Sequence, residues 1–288
     1  MTAIEGPVIA MSSMVAHGTV GLRAIMPAMQ ARQRELIIVP TALLPWHPGR
    51  GAGTLVPTDK DAFRGLLDDL ASHNRFDPPT VAVLSGWLAH EDQVEALAGF
   101  VETLKARWPE TLYLCDPVIG DAKGAYRPKS VIDAMTKRLL PLADIATPNR
   151  YELELLTGRK LPDNNALLEA GCALGLPRLV ITSAFGLMAG TIGNLLIANG
   201  CAHLTENRIV PDAPHGPGDL FSALFLARLL EGQSDAKALS AATASVFEML
   251  ARSRKAGHDE LALASEQACL VRPMAMVTDR SLALSANA

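Results

Sequence analysis

The sequence predicts an α/β fold built on a mostly parallel sheet with an antiparallel edge. The first observation is the order of elements: a buried strand at residues 7–13, a helix over 20–30 and a second strand at 35–39. This order is a βαβ unit, whose strands pair in parallel. The second is a series of short apolar runs between 179 and 210, separated by turn residues, which favours antiparallel strands. With 288 residues, 49% of them apolar, we expect one domain over residues 1–288.

Composition and charge exclude several classes of protein. The formal net charge of −4 and the pI of about 6.0 do not favour a nucleic-acid partner. The four cysteines lie far apart without metal-type spacing, which is typical of reduced thiols in a cytoplasmic protein. No basic region precedes an apolar stretch at the N-terminus, and the most apolar region, residues 179–202, is interrupted by glycine and asparagine. We therefore expect a cytoplasmic protein that does not cross a membrane.

The glycines after the first strand do not form a dinucleotide-binding fingerprint. Gly18 and Gly21 supply only part of the glycine pattern, and no acidic residue closes the second strand. A dinucleotide-dependent oxidoreductase is therefore disfavoured.

Residues 40–57 are predicted to form a lid. This stretch holds several prolines and glycines around Trp46 and His47, and it is too long for a tight turn. Long loops in compact domains often cover or bind ligands, although a passive surface loop is the alternative.

Two aspartates follow a predicted buried strand. The strand at 111–115 runs directly into Asp116, with Asp121 five residues later. Ligand crevices of parallel α/β sheets lie outside the carboxyl ends of the strands. Two carboxylates near a phosphate would most simply hold Mg²⁺, directly or through water; solvated aspartates in a turn are the alternative.

Asn149 and Glu152 begin another predicted helix. A strand at 143–147 precedes a helix over 150–156. Asn149 suits the N-cap and Glu152 the position one turn later, as in a capping box. The functional alternative is that Glu152 faces the same crevice as Asp116.

The remaining elements complete the α/β pattern. The expected further helices and strands are helices over 58–71, 90–107 and 235–251, and strands at 80–85 and 179–182. The tail beyond Arg272 is polar and is expected to be loosely held.

The stretch Gly216-Pro217-Gly218-Asp219 precedes an apolar run, Leu220 to Leu230, with helical spacing. A helix start exposes free N–H groups and the positive end of the macrodipole, which suits a phosphate. A carboxylate beside it, that of Asp219, could take a proton from an attacking hydroxyl. Phosphate donors and a base together describe a small-molecule kinase; an ordinary helix cap is the alternative.

Several motifs in register resemble those of ribokinase-like kinases, and most closely pyridoxal kinases. Residues 116–121, 149–152, 180–183 and 216–219 resemble, in turn, the Asp-Pro-Val-x-Gly-Asp, Asn-x-x-Glu, nucleotide-side strand and Gly-x-Gly-Asp segments of the superfamily. Ser12-Ser13 and residues 43–49 and 84–88 resemble pyridoxal kinase segments, the second being its lid with the histidine. The resemblance runs from about residue 8 to 250.

The resemblance implies a three-layer α/β/α ribokinase-like fold with helices on both faces of the sheet. It implies ATP-dependent phosphorylation of the 5′-hydroxymethyl group of pyridoxal, and also of pyridoxine or pyridoxamine, in vitamin B6 salvage. Asp219 would be the catalytic base, next to an anion hole at Gly216, Pro217 and Gly218. The other implied site residues are Asp116, Thr147, Asn149, Glu152 and Thr182 for ATP; Asp116, Asp121 and Glu152 for Mg²⁺; and Ser13, His47, Pro48 and Asp219 for the vitamer. A monovalent cation (K⁺) and a homodimer are also expected.

Some residues depart from the resembled pattern. Pro217 has no N–H and removes one potential donor to an anion. Met14, Pro48 and Arg50 stand where pyridoxal kinases usually carry histidine, threonine and tyrosine, so ring specificity is in question more than reaction type. His215 lies near these motifs without an assigned role.

Two alternative functions stay open. One is a hydroxymethylpyrimidine kinase of the same superfamily, which the lid with His47 disfavours. The other is a catalytically weak homologue that binds pyridoxal phosphate, which Pro217 and Met14 favour. The joint presence of Asp116, Glu152 and Asp219 argues against the second, because a pure binder needs no base.

Overall fold

A ten-stranded sheet forms the middle of the molecule, a computed structural model that describes residues 4–72 and 79–284. The strand order is β12-β11-β10-β9-β8-β5-β4-β1-β2-β3, and β6 and β7 form a separate pair. The strands are β1 (Val8–Val15), β2 (Leu36–Leu44), β3 (Val56–Pro57), β4 (Ala82–Ser85), β5 (Leu112–Cys115), β6 (Gly120–Asp121), β7 (Gly124–Ala125), β8 (Ile145–Ala146), β9 (Arg178–Phe185), β10 (Thr191–Ala198), β11 (Cys201–Arg208) and β12 (Thr278–Leu282). The helices are α1 (Leu22–Ala31), α2 (Lys60–Ser72), α3 (Glu91–Arg107), α4 (Lys129–Ala134), α5 (Arg150–Thr157), α6 (Asn164–Ala173), α7 (Pro217–Leu230), α8 (Asp235–Lys255) and α9 (Ala268–Val271).

The central strands pair in parallel and the strands at both ends pair antiparallel. Parallel pairing runs from β2 through β1, β4, β5 and β8 to β9. Strands β10, β11 and β12 then add antiparallel to β9, and β3 adds antiparallel to β2. The predicted mostly parallel sheet with an antiparallel edge is confirmed.

Apolar side chains leave the central strands toward both faces. Ile9 and Met11 of β1 belong to a core that includes residues of α2 to α6, whereas Val8 and Ala10 belong to a core with α1, α7 and α8. Successive residues of a strand point to opposite faces, so a strand buried on both faces is apolar throughout. The three-layer α/β/α arrangement is therefore confirmed.

The predicted loop at residues 40–57 is shorter than expected, because both of its ends are strands. β2 continues to Leu44, and Val56–Pro57 pairs with it as β3. The register between β1 and β2 shifts between Ser12 and Ser13, opposite Pro40 and Ala42. Proline has no N–H for the ladder, which explains why the irregularity falls beside Pro40. Residues 45–55 remain outside the strands and are called the lid segment below.

The prediction of a loose tail after Arg272 is wrong for residues 278–282. These residues form β12, which pairs antiparallel with β11. Asp279 accepts hydrogen bonds from the hydroxyls of Thr205 (2.6 Å) and Ser240 (2.8 Å), and Arg280 pairs with Glu206 at 2.9 Å. Polar residues are common on edge strands, so polarity alone did not indicate an absence of structure.

Helices α4 and α6 lie outside the predicted elements. α4 has only six residues and continues into a π-helical turn, Met135–Leu139. α6 begins after Asp163, whose carboxylate accepts a hydrogen bond from the N–H of Ala166 at 2.8 Å. This N-cap was the readable sequence signal for α6.

Across residues 4–72 and 79–284, no helix has both the length and the apolar character needed to cross a bilayer.

Two glycines in helices provide a test of the packing between α6 and the sheet. A Cβ on Gly171 of α6 would lie 2.6 Å from a methyl carbon of Ile197 and 2.9 Å from one of Leu179, whereas a Cβ on Gly99 of α3 would meet no atom within 4 Å. We expect Gly99→Ala to raise the free energy of unfolding by about 0.5–1 kcal/mol, because alanine favours the helix. Gly171→Ala should cost about 1 kcal/mol or more through overpacking. Urea denaturation of both variants checks this; equal stabilisation by both would contradict the packing.

Candidate active site

The candidate site lies where the order of strands reverses along the sheet. β1 pairs with β2 on one side and with β4 on the other. In open α/β sheets, ligands bind outside the carboxyl ends of the strands at such a point. Ser13 lies near the carboxyl end of β1, Gly86 follows β4, Asp116 follows β5 and Thr147 follows β8. The parallel sheet therefore brings together residues that are far apart in the sequence.

Asp219 enters this site from the first turn of α7. The N-cap of α7 is Gly216, so the alternative of Asp219 as an ordinary cap is wrong. The Asp219 carboxylate instead accepts a hydrogen bond of 2.9 Å from the N–H of Gly21. A Cβ on Gly86 would lie 2.6 Å from the Ser12 hydroxyl oxygen and 3.8 Å from an Asp219 oxygen. The absence of a side chain at Gly86 thus leaves space between β1, β4 and the carboxylate.

The environment of Asp219 suits a general base. Burial raises the pKa of Asp219 from its ordinary value of 3.8 to about 6, and the hydrogen bond from Gly21 limits the rise. A base is most effective when its pKa lies near the working pH. At pH 7 this carboxylate is therefore mostly ionised yet more basic than an exposed aspartate.

The first turn of α7 has the features of an anion site. Gly216 has a φ of 97°, and a Cβ there would lie 2.1 Å from the Thr19 carbonyl oxygen, so only glycine fits. Pro217 is the first helical residue, where an N–H has no partner within the helix in any case. A Cβ on Gly218 would meet no atom within 4 Å. The helix start is open beside Gly218, although Pro217 supplies one donor fewer.

Asp116 is held by a chain of hydroxyl groups. The Ser222 hydroxyl donates to Asp116 at 2.9 Å, and the Thr147 hydroxyl lies 2.9 Å from that of Ser222. Burial, followed by the charges of Glu152 and Asp219, raises the pKa of Asp116. Sequence analysis gave Ser222 no role; its signal was its position three residues after Asp219, on the same side of α7.

Asn149 and Glu152 form the expected capping box. Asn149 accepts hydrogen bonds from the N–H groups of Tyr151 and Glu152, and Glu152 accepts one from the N–H of Asn149, each at 2.9 Å. The other oxygen of Glu152 accepts from Ile119 at 2.8 Å. Burial raises the pKa of Glu152 despite these donors. Glu152 therefore also anchors the loop between Asp116 and Asp121. That it faces the same crevice as Asp116 stays a prediction.

Asp116, Asp121 and Glu152 supply the carboxylates of the predicted Mg²⁺ site. Asp116 and Glu152 are buried close to Asp219, an excess of negative charge that a cation would offset. Asp121 is exposed and accepts a hydrogen bond from the N–H of Lys123 at 2.7 Å. Among the residues that the structure describes, no group of three or more His, Cys, Asp or Glu side chains is arranged to coordinate a metal directly. The donor set fits a cation bound through water molecules, and the metal assignment stays a prediction.

The lid segment contacts the residue before the anion site. The His47 ring stacks on that of His215, with centroids 4.1 Å apart, and its Nδ1 accepts a hydrogen bond from the N–H of Gly49 at 3.0 Å. Burial and the neighbouring His215 lower the pKa of His47, so at neutral pH the ring is uncharged. Pro48 is exposed in the short 3₁₀ turn that follows. His215, which had no assigned role, thus has a contact that joins the lid to α7.

Ser13 and Thr182, two further predicted site residues, each lie beside a residue already described. A Cβ on Gly21 would approach the Ser13 hydroxyl oxygen to 2.8 Å, so Ser13 neighbours the residue that binds Asp219. The Thr182 N–H donates to the Pro148 carbonyl at 2.8 Å, which keeps Thr182 beside Asn149.

Tyr126 also belongs to this region and was not predicted. Desolvation of its hydroxyl, and then the charges of Glu152, Asp116 and Asp219, raise the pKa of Tyr126, although the side chain as a whole is 48% exposed. It follows the short β6–β7 hairpin, where no sequence pattern indicated a direction for its side chain.

A cavity of about 550 Å³ lies away from this site, between α8 and β11–β12. Its lining includes His203, Lys237 and Asp279 but none of the residues assigned to the candidate site. The candidate site is therefore defined by its convergent polar groups and not by the size of a cavity.

The fold and this site together define a small-molecule kinase of the ribokinase-like class. The sequence model of the phosphomethylpyrimidine kinase family matches residues 17–263. The chain belongs to this family, and within it to the pyridoxal kinases, on the basis of the relatives that follow.

Among similar proteins is the pyridoxine/pyridoxal/pyridoxamine kinase of Bordetella avium, 33% identical over 267 residues, which are 90% of this chain and 89% of the relative. The pyridoxal kinase PdxY of Granulibacter bethesdensis is 32% identical over 88% of this chain and 92% of its own. The structure of pyridoxal kinase from Leishmania donovani in complex with ADP and pyridoxamine has a TM-score of 0.89 and 24% identity, and covers 96% of this chain and 100% of its own. This likeness supports the ribokinase-like fold.

The raised pKa of Asp219 has a consequence for stability. A carboxyl whose pKa is higher in the folded than in the unfolded state loses stabilising free energy as the pH rises from about 4 to about 6, and the deficit stays constant above. Asp219→Asn removes this charge and keeps an oxygen for the Gly21 N–H. We expect the variant to be more stable than wild type by about 2 kcal/mol at pH 8 and equally stable near pH 4. This difference is smaller than for a fully buried carboxyl with the same pKa, because Asp219 is only half-buried. Thermal unfolding across this pH range measures the difference.

The matched control is Asp212→Asn, because the Asp212 carboxylate is 82% exposed. A difference of the same size and pH dependence in both variants would contradict the environment described for Asp219.

Proposed function

We propose that this protein transfers the γ-phosphoryl group of ATP to the 5′-hydroxymethyl group of pyridoxal, in vitamin B6 salvage. Pyridoxine and pyridoxamine are proposed as further substrates. The observation that carries this is the Asp219 carboxylate on the open first turn of α7, beside the carboxyl ends of β1 and β4. The names of the relatives, which are more than 30% identical over most of this chain, support the substrate class.

The proposed chemistry follows from this arrangement. Asp219 accepts the proton of the 5′-hydroxyl group while the hydroxyl oxygen attacks the γ-phosphorus of ATP. The bond from phosphorus to the bridging oxygen of ADP breaks, and ADP leaves. The N–H groups near Gly216 and Gly218 and the positive end of α7 stabilise the charge on the phosphoryl group in transit. Phosphoryl transfer depends mainly on such alignment and charge stabilisation.

ATP is proposed to lie along Asp116, Thr147, Asn149, Glu152 and Thr182. Mg²⁺, when bound, would neutralise charge on the phosphates, held by Asp116, Asp121 and Glu152 mostly through water. The buried, negatively charged surroundings of Asp116 support this role. A K⁺ site is expected as well, and no residue is assigned to it.

The vitamer is proposed to lie between Ser13 and the lid segment. Ser13 is buried next to Gly21 and would form a hydrogen bond to the pyridine ring. His47 has its Nδ1 occupied by Gly49, so its Nε2–H is the group available to a ligand under the lid. Pro48 follows it in the same turn.

A hydroxymethylpyrimidine kinase is the second candidate. The description of the matching family favours it, since the family is that of phosphomethylpyrimidine kinase. The two substrates differ in their ring and share a hydroxymethyl group, so one panel with ATP separates them.

Removal of the base provides the central test of function. We expect wild type to form pyridoxal phosphate from pyridoxal and MgATP, and Asp219→Asn to lower kcat at least about 100-fold, because a general base contributes this much. For wild type, log kcat/KM should rise with pH up to about 6 and then level off as Asp219 ionises. Absorbance of the product measures both.

The control is Asp212→Asn, and the panel contains pyridoxal, pyridoxine, pyridoxamine and hydroxymethylpyrimidine. Equal trace turnover by wild type and Asp219→Asn would leave the catalytically weak binding protein as the better account. A preference for hydroxymethylpyrimidine would replace the proposed substrate and keep the reaction.

A homodimer is proposed on the basis of the free edge of the sheet. Leu43 of β2 is 51% exposed and Val56 of β3 is 53% exposed. Leu55, the residue before β3, is exposed as well. Apolar side chains on an edge strand favour pairing with another chain. The cytoplasmic location and the single domain over residues 1–288 also remain proposals.

Light scattering after size-exclusion chromatography tests the dimer. We expect wild type to elute as a dimer and Val56→Arg to shift toward the monomer, because a charge would have to be buried in the interface. Lys123→Arg is a control at an exposed position outside this edge. A monomeric wild type would contradict the proposal.

A further inference from the structure

Arg50 of the lid segment pairs with two acidic residues that follow α8. Its Nη2 lies 2.9 Å from Asp259, and its Nε donates to Glu260 at 2.8 Å. The Asp259 side chain is 84% exposed and that of Glu260 only 17%. The pair with Glu260 is therefore the more sheltered of the two and the stronger connection to the lid.

Glu260 also holds the loop between β1 and α1. Its second oxygen accepts hydrogen bonds from the N–H of Thr19 at 2.9 Å and from the Thr19 hydroxyl at 2.8 Å. The same hydroxyl accepts one from the N–H of Leu261 at 2.9 Å. Hydrogen bonds to a carboxylate are roughly twice as strong as neutral ones, so the loop at Thr19 is well fixed.

The loop that Glu260 holds contacts both parts of the candidate active site. The Thr19 carbonyl lies against Gly216, where an added Cβ would approach it to 2.1 Å. Two residues later, Gly21 donates its N–H to Asp219. The lid reaches the same place independently, because His47 stacks on His215. One carboxylate thus connects the lid to the loop that supports the base and the anion site.

We propose that Glu260 is a positioning residue, which holds the lid segment closed through Arg50 and holds Thr19 against the anion site. The proposal rests on the proposed kinase function for its kinetic readout. The two contacts of Glu260 have separable effects. The contact with Arg50 governs closure over the vitamer and hence KM, whereas the contact with Thr19 governs the position of the catalytic groups and hence kcat.

Kinetics of single variants test the two contacts. We expect Arg50→Met to raise KM for pyridoxal about fivefold with kcat within about twofold, because only the lid is released. Glu260→Gln should raise KM by a similar factor and also lower kcat about tenfold, since the charge that fixes Thr19 is lost. The matched control, Asp259→Asn, removes a carboxylate from the same arginine without touching Thr19. It should stay within about twofold of wild type in both constants.

A proteolysis measurement follows lid closure without relying on activity. Trypsin cleaves after Arg50, and a released lid is cut faster. We expect Glu260→Gln to be cleaved there about tenfold faster than wild type and Asp259→Asn no more than about twofold faster, with cleavage after exposed Lys123 unchanged. If wild type phosphorylates no vitamer, the proposed function fails, and the rate of cleavage after Arg50 still shows whether Glu260 holds the lid segment closed.

Glu260→Gln values equal to those of Asp259→Asn, in kinetics and in proteolysis, would overturn the proposal. A Glu260→Gln protein that does not fold is identified by thermal unfolding, and the contacts are then tested apart. Arg50→Met reports on the lid. Thr19→Val should lower kcat about fivefold while Thr19→Ser, which keeps the hydroxyl, restores it. Equal kcat for the two Thr19 variants would also overturn the proposal.

Discussion

The contact between the start of α7 and the turn after β1 is the interaction on which the rest of the site depends. Gly216 packs against the Thr19 carbonyl, and Asp219 accepts the N–H of Gly21. These contacts join residues about 200 positions apart in the chain. They require a left-handed residue without a side chain at Gly216, and they direct the Asp219 carboxylate toward the reversal point of the sheet.

The site concentrates negative charge where the protein gains no stability from it. Asp116, Glu152 and Asp219 lie in or beside a buried region, and burial raises the pKa of each. Keeping these groups close together lowers the stability of the folded chain, as is common at functional sites. Hydroxyl and N–H donors offset part of that cost: Ser222 for Asp116, and Ile119 and Asn149 for Glu152.

The lid differs in kind from this rigid centre. Its segment, residues 45–55, has exposed residues and is held by side-chain contacts at its middle, the His47–His215 stack and the pairs of Arg50. Contacts of this kind are weak enough to break and reform during turnover, whereas the capping box of Asn149 and Glu152 is built into the start of a helix. The molecule thus combines a fixed platform with a closing segment attached at a few points.

The sequence by itself determined the α/β class, the parallel strands and the motifs of the site, because these depend on local patterns. Apolar runs, glycine turns and the spacing of Asn149 and Glu152 operate within a few residues of the chain. Tertiary structure decided what local patterns do not encode: β12 is polar and becomes a strand only because β11 offers an edge. Likewise, Ser222, His215 and Glu260 acquired roles only through partners about 75 to 240 residues away, namely Thr147, His47 and Thr19. Contacts over such separations depend on how the sheet brings its strand ends together, and that is a property of the whole fold.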